Sequence, residues 1–308
     1  MITPIVAATD GSDESLAATE WAAVAAARRG LPLCIVHIMD QRPGPATHGQ
    51  LLRHELAGPF RHELPHHARS VLTKASRRAA WAAPGIDMHA VAVYGRAGQV
   101  LTAITARTPL LALGTRGAGR LPGQRLGSVA LRLADQAKCP VVLVTADSSP
   151  AFHEIVVGTD GSDDATAALE FGFFEADLQD SRLTALYIWA HPHAVALENF
   201  RDWMLSVGPV NPLAAARLAE EVIPWRRRYP SVLVTENTVH GQPGRVLTLA
   251  SGHADLIVVD RDMPGQARGL GPVSVALLHH TQCPVAVIPS CSQPIVGTGQ
   301  RVLLSARA

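Results

Sequence analysis

The sequence predicts an α/β protein built from two tandem copies of one domain, each a parallel sheet with helices on both faces. Three motifs, each present twice and in the same order, predict the duplication. Ile5-Val-Ala-Ala-Thr-Asp-Gly-Ser-Asp13 returns as Ile155-Val-Val-Gly-Thr-Asp-Gly-Ser-Asp163, an offset of 150 residues. Tyr94-Gly-Arg-Ala-Gly-Gln-Val-Leu101 returns as His240-Gly-Gln-Pro-Gly-Arg-Val-Leu247, an offset of 146. Cys139-Pro-Val-Val-Leu-Val144 returns as Cys283-Pro-Val-Ala-Val-Ile288, an offset of 144. A repeat this long is a duplicated globular unit, not a solenoid. Strands alternate with helices inside each copy, which predicts the parallel sheet and its helical layers.

The copies are expected over 1–147 and 152–290. Ala146-Asp-Ser-Ser-Pro-Ala151 joins them, short and polar with a proline, as a linker should be. Residues 291–308 have no counterpart in the first copy and are expected to form a loose tail.

Each element of the first copy has its own reason. Pro4–Thr9 is a short apolar run bounded by a turn, hence a buried strand. Asp13–Arg29 is an alanine-rich helix with Ser12 as N-cap, acids in its first turn and Gly30 as its stop. Leu33–Met39 is the second strand, followed by a long polar stretch with prolines and a helix near His67–Ala82. Asp87–Tyr94 is the third strand, Gly98–Ala106 a helix, and Leu110–Gly114 the fourth strand. A glycine-bearing loop leads to a helix at Ser128–Ala137 and a last strand at Pro140–Thr145. In such folds ligands sit beyond the carboxyl ends of the strands, where strand order reverses.

The loop after the fourth strand carries the chemistry. A strand, a loop with glycines at 114, 117 and 127, and a helix start at Ser128 are the parts of a phosphate cradle. From Gly114 to Ser128 there are three arginines (Arg116, Arg120, Arg125) and no carboxylate. Ser128 is placed either to cap the helix or to donate to a phosphate oxygen. Thr115 and Arg116 stand in the loop as candidate ligand contacts or as ordinary loop residues. The first βα turn, Asp10-Gly-Ser-Asp-Glu14, is a poor alternative: it lacks GxGxxG, and its acids would repel phosphate. A dinucleotide site is therefore rejected. Asp10 itself stands either as a turn-forming Asx residue or as an acceptor for a ribose or base.

Thr9-Asp10-Gly-Ser, Val36-His37-Ile38, Gly95 with Val100-Leu101, and a G-x2-G-x9-G-[ST] pattern at Gly114, Gly117, Gly127 and Ser128 together resemble the tandem-domain universal stress proteins. The resemblance spans about residues 1–290. It implies a five-stranded parallel sheet in each three-layer α/β/α domain of adenine-nucleotide-binding type. It also implies ATP as ligand, leaving Mg2+ open. Asp10 and the Ile38 backbone would then hold the adenosine end, and Gly114, Gly117, Gly127, Ser128 and Val129 the ribose and phosphates.

The second copy departs from that pattern. Asp260-Arg-Asp-Met263 stands where the first has Gly114-Thr-Arg-Gly117, and Pro272 replaces the serine. Two arginines and two aspartates cancel over 260–272. Nucleotide is therefore expected mainly in the N-terminal domain, with the C-terminal copy as its pairing partner.

Other motifs are set aside. His62-Glu-Leu-Pro-His66 fits HExxH, but Pro65 breaks the regular helix that a zinc site on one face requires. Trp225-Arg-Arg-Arg-Tyr229 sits at a helix end, where cations complement the dipole, and does not argue for nucleic acid. A net charge of +1 gives no general attraction to nucleic acid or anionic membrane. No apolar run approaches the roughly 20 residues of a membrane span. The start enters a strand at once, so no secretory leader is expected, and of four cysteines without metal spacing three sit in apolar surroundings and read as core thiols. A cytoplasmic protein is expected.

Three functions fit these residues: an ATP-binding stress-response regulator, a slow ATP hydrolase, or a nucleotide-free interaction module. The first leads, because the loop offers no carboxylate and leaves Asp10 as the nearest candidate base. The apolar strands at 140–145 and 284–288 are sheet edges that invite pairing. In the family two domains pair through this strand, so the halves should pack as a pseudo-dimer, and chains are expected to dimerise further.

Overall fold

The computed structural model describes residues 2–39, 64–117, 126–146, 152–159, 166–189, 211–261 and 270–289. The first half runs β1 (Ile5–Ala8), α1 (Asp13–Arg29), β2 (Leu33–Met39), α2 (His66–Ala82), β3 (Met88–Tyr94), α3 (Ala97–Ile104), β4 (Leu111–Gly114), α4 (Ser128–Gln136) and β5 (Val141–Val144). The second repeats it as β6 (Glu154–Thr159), α5 (Thr166–Gln179), β7 (Arg182–Trp189), α6 (Pro212–Arg228), β8 (Val234–His240), α7 (Pro243–Ala250), β9 (Leu256–Asp260), α8 (Pro272–His280) and β10 (Val285–Ile288). Element type and order match the sequence reading of the first half, with ends moved by a residue or two.

The ten described strands form one sheet in the order β3-β2-β1-β4-β5-β10-β9-β6-β7-β8. Each half is a parallel five-stranded unit of order 3-2-1-4-5, which reverses between its first and fourth strands. Among the described strands one pair is antiparallel, and it joins the halves: Leu143 lies opposite Val285, Val142 opposite Ala286 and Val141 opposite Val287. The two apolar terminal edges thus cover one another, as an exposed edge requires.

Strand alternation builds two cores. Ile5 and Ala7 point with Leu33 and Ile35 towards α1, α2, α5 and α6. Val6 and Ala8 point with Cys34 and Val36 towards α3, α4, α7 and α8. Both layers run across the junction of the halves, so each half's apolar surface is partly completed by the other. α1 begins as its residues dictate: the Ser12 side chain accepts the Ser15 N–H, and Gly30 ends the helix in the left-handed region at φ 63°.

The halves also meet through a buried ion pair. Arg29 at the end of α1 pairs with Glu175 of α5, with 3% and 1% of their side chains exposed. The same guanidinium donates to the Ala25 carbonyl at 3.0 Å and lies 5.3 Å from the centre of the Phe174 ring. Gln179 donates to the other Glu175 oxygen at 3.0 Å. Burial, with Arg28 alongside, pulls Arg29 down to about 9, which still leaves it charged at neutral pH.

Candidate functional site

The switch between β1 and β4 opens a cleft at their carboxyl ends. A cavity of about 430 Å3 there is lined by Asp10, Ile38, Gly114, Thr115, Arg116, Gly117, Gly127, Ser128 and Val129. These are all nine candidate site residues, drawn together from β1, β2, β4 and α4. Val36 and Leu101, which belong to the resemblance but carry no role in it, add an apolar wall together with Leu113 and Leu126. Their signal was available, since Val36 and Leu113 stand near strand ends on the face of α3 and α4.

Hydrogen bonds fix the β1 end. The Ser12 N–H and hydroxyl donate to Asp10 Oδ1 at 3.0 and 2.6 Å, so the Asx turn is formed. The buried Thr9 hydroxyl lies 3.1 Å from the Ser15 hydroxyl, and its Oγ1 accepts the Gly11 N–H at 3.2 Å. His37 Nδ1 donates to the Thr9 carbonyl at 2.9 Å, which ties the ends of β1 and β2 together.

Two glycines act through contact. A Cβ on Gly114 would stand 2.8 Å from the Glu14 backbone and side chain. Gly114 therefore lets the first turn of α1 cross the end of β4. A Cβ on Gly117 would stand 2.6 Å from Asp10 Oδ2, so only a bare backbone fits between loop and carboxylate.

The helix start differs from the sequence expectation in one respect. Gly127, not Ser128, is the N-cap of α4, and no side chain caps it. The Gly127 N–H donates to the Thr115 carbonyl at 2.8 Å, and the Thr115 N–H to Val144 at 3.0 Å. Those two amides are used internally. Among the described residues, the N–H groups of Ser128, Val129 and Ala130 have no acceptor, as the first turn of an uncapped helix dictates. The Ser128 hydroxyl is released from capping.

The charge reading also changes. Arg116 Nη2 lies 2.6 Å from Glu14 Oε1, and the Glu14 side chain is 3% exposed. One of the acids expected to repel phosphate, Glu14, is thus paired, and so is one of the three loop arginines. Arg120 and Arg125 lie outside the described residues.

The second half is built alike but furnished differently. The Arg261 N–H donates to Ile288 at 2.8 Å, the counterpart of the Thr115 bond to Val144. Gly271 is the N-cap of α8 and Pro272 its first residue, so the N–H that Ser128 supplies is missing there. Asp260 is 5% exposed at the end of β9, where the first half has Gly114. Asp160, Asp262 and Met263 lie outside the described residues.

The motifs set aside are described only in part. Pro65 is the N-cap of α2 and His66 its first residue, while His62 and Glu63 lie outside the described residues. No group of three or more metal-ligating side chains assembles among the described residues. At the end of α6, Arg226 pairs with Glu236 at 3.0 Å and Arg228 with Glu170 at 3.0 Å. No described helix is long and apolar enough to cross a membrane.

Comparison with known proteins agrees with this architecture. The family model described as the universal stress protein family matches residues 1–145 and again 151–289. Universal stress protein Rv2005c of Mycobacterium tuberculosis is 31% identical over 289 residues, covering 92% of this chain and 96% of that protein. Universal stress protein Rv2623 of the same organism is 31% identical over 294 residues, covering 92% and 95%. Among solved structures, a universal stress protein from Archaeoglobus fulgidus superposes with a TM-score of 0.59 at 17% identity, covering 93% of this chain and 96% of that one. The chain therefore belongs to the universal stress protein family, with one domain of that family in each half.

Proposed function

We propose that this protein is an ATP-binding stress-response regulator that takes its nucleotide in the first-half cleft. One observation carries the reading. The nine candidate residues share one cavity at the strand switch, with three N–H groups that have no acceptor among the described residues and a bare-backbone passage at Gly117. The apolar wall of Val36, Leu101 and Leu113 suits a purine, and Asp10 and Ile38 border that end. Ser128, Val129 and the loop at 114–117 suit the phosphates, with Gly127 giving room rather than a donor.

Binding rather than turnover is the reading that the carboxylates support. Asp10 Oδ1 is held by Ser12 and Glu14 by Arg116, which leaves neither placed as a ready base for an attacking water. The second half then serves as the pairing partner through β5 and β10, and nucleotide state changes the surface offered to partners or to a second chain. The buried thiols suit the cytoplasm. Nucleotide released from heat-denatured purified protein tests the reading, with titration of the stripped chain as its control. Adenine nucleotide in the supernatant, or saturation at millimolar ATP, is the expected result. Neither retained nor titratable nucleotide would leave an interaction module instead.

A further inference from the structure

The helix that begins at the first-half cleft is finished by a residue of the second half. α4 is 9 residues long, has no side-chain cap at its start and no basic residue in its last turn. Its counterpart α8 carries His279 and His280 in its own last turn. For α4 the cation comes from across the junction. Arg261 Nη1 donates to the carbonyl of Ala137, the C-cap residue of α4, at 2.8 Å. Asp135 Oδ1 accepts the Leu270 N–H at 2.9 Å, a second tie from the same half.

Arg261 stands in the place of Thr115. Each follows the fourth strand of its half, and each donates its backbone N–H to the last residue of the neighbouring terminal strand. In the first half this position bears a buried threonine that lines the cleft. In the second half it sends a guanidinium to the other domain. The residue that departs from the pattern in the second half thus contacts the far end of the helix that follows the loop of the first.

We propose that Arg261 is a positioning residue for the first-half cleft. By holding the far end of α4, it sets where the N–H groups of Ser128, Val129 and Ala130 stand. The inference rests on reading that cleft as the phosphate site. Within its own half α4 is seated by Ala130, Leu133 and Ala134, all buried. Apolar contact is not directional and resists sliding along the helix axis weakly. Two hydrogen bonds at the carboxyl end are directional, and a cation there complements the helix dipole. A binding constellation must be held to within about 0.5 Å, so a loose helix costs affinity. By reciprocity, phosphate at the start of α4 tightens the contact at its end.

The test compares wild type, Arg261→Ala and Arg261→Lys as full-length proteins. Calorimetry gives the ATP Kd, and amide hydrogen exchange over residues 126–137 reports α4 without nucleotide. Arg261→Ala should exchange faster there and bind ATP about fivefold or more weakly, a typical coupling between distant sites. Arg261→Lys keeps the charge, should restore part of the loss, and substitutes as the test if the alanine variant does not fold. A variant with lower melting temperature but wild-type Kd would overturn the proposal, since a merely structural bridge behaves so. If wild type itself bound no ATP, the nucleotide reading would fall. Unchanged exchange over 126–137 would then overturn the positioning role, and faster exchange would support it.

Discussion

Arg116 and Glu14 form an ion pair at the lip of the first-half cleft, with 2.6 Å between Nη2 and Oε1. The pair joins the loop at 114–117 to the first turn of α1 and sets a cavity-lining cation against a buried carboxylate. Glu14→Gln keeps the shape and frees the guanidinium. ATP should then bind about fivefold more tightly at low salt, roughly 1 kcal/mol of screened attraction. The gain should fade at high salt, where the Debye length is about 3 Å. Arg116→Ala leaves a buried carboxylate unpaired and should cost about 1–3 kcal/mol of stability by urea denaturation. Unchanged affinity in Glu14→Gln would show that Arg116 does not reach the ligand.

Gly117 faces Asp10 with no room for a side chain. Asp10 is held through its other oxygen by Ser12, so it cannot simply turn aside. Gly117→Ala should weaken ATP about tenfold, about 1.4 kcal/mol, while stability moves by less than about 1 kcal/mol. Gly117→Asp adds a carboxylate and should abolish binding at millimolar ATP. Calorimetry paired with thermal denaturation reads both; wild-type affinity in the alanine variant would remove the role given to this contact.

The Arg29–Glu175 pair is buried between the halves. Glu175→Ala strands a charged guanidinium and should cost about 3–5 kcal/mol. The double change Arg29→Met with Glu175→Leu should recover most of that loss, because apolar groups of like size need no partner. Urea denaturation of wild type, Arg29→Met, Glu175→Leu and the double variant gives the coupling. Additive losses would mean that the two side chains act independently.

Burial pushes the thiols of Cys34, Cys139 and Cys283 up to about 12 from 9.0. Their folded values exceed their unfolded ones, so this contribution to stability is complete below pH 9. It is lost as pH rises through that window towards 12. Native protein at pH 8 should leave these three unalkylated by iodoacetamide until denaturant is added. Mass spectrometry that found them modified in native buffer at the rate of a free thiol would contradict the packing.

The fold was legible because local and global signals agreed. Ser12 and Gly30 mark both ends of α1, and the short apolar runs at 5–8, 33–39 and 111–114, alternating with helices, read as buried strands. The repeat supplied the second half without separate argument. The site was legible as residues but not as contacts. Glu14 and Arg116 lie far apart in the chain, and nothing in either segment announces their pairing. Gly114 read as an approach for an anion, yet it admits α1. Ser128 read as a possible cap, yet Gly127 takes that place and frees the hydroxyl. Arg261 looked like a defect in a worn motif, and only the antiparallel seating of β10 on β5 brings it to Ala137.

The most direct test of the account is the number of ATP molecules bound per full-length chain, measured by calorimetry on nucleotide-stripped protein. The first-half cleft has the Ser128 amide where the second half has Pro272, and Gly114 where the second half has a buried Asp260. A stoichiometry near one, lost in Gly117→Asp, is the predicted result. A value near two, or one that survives Gly117→Asp, would contradict it.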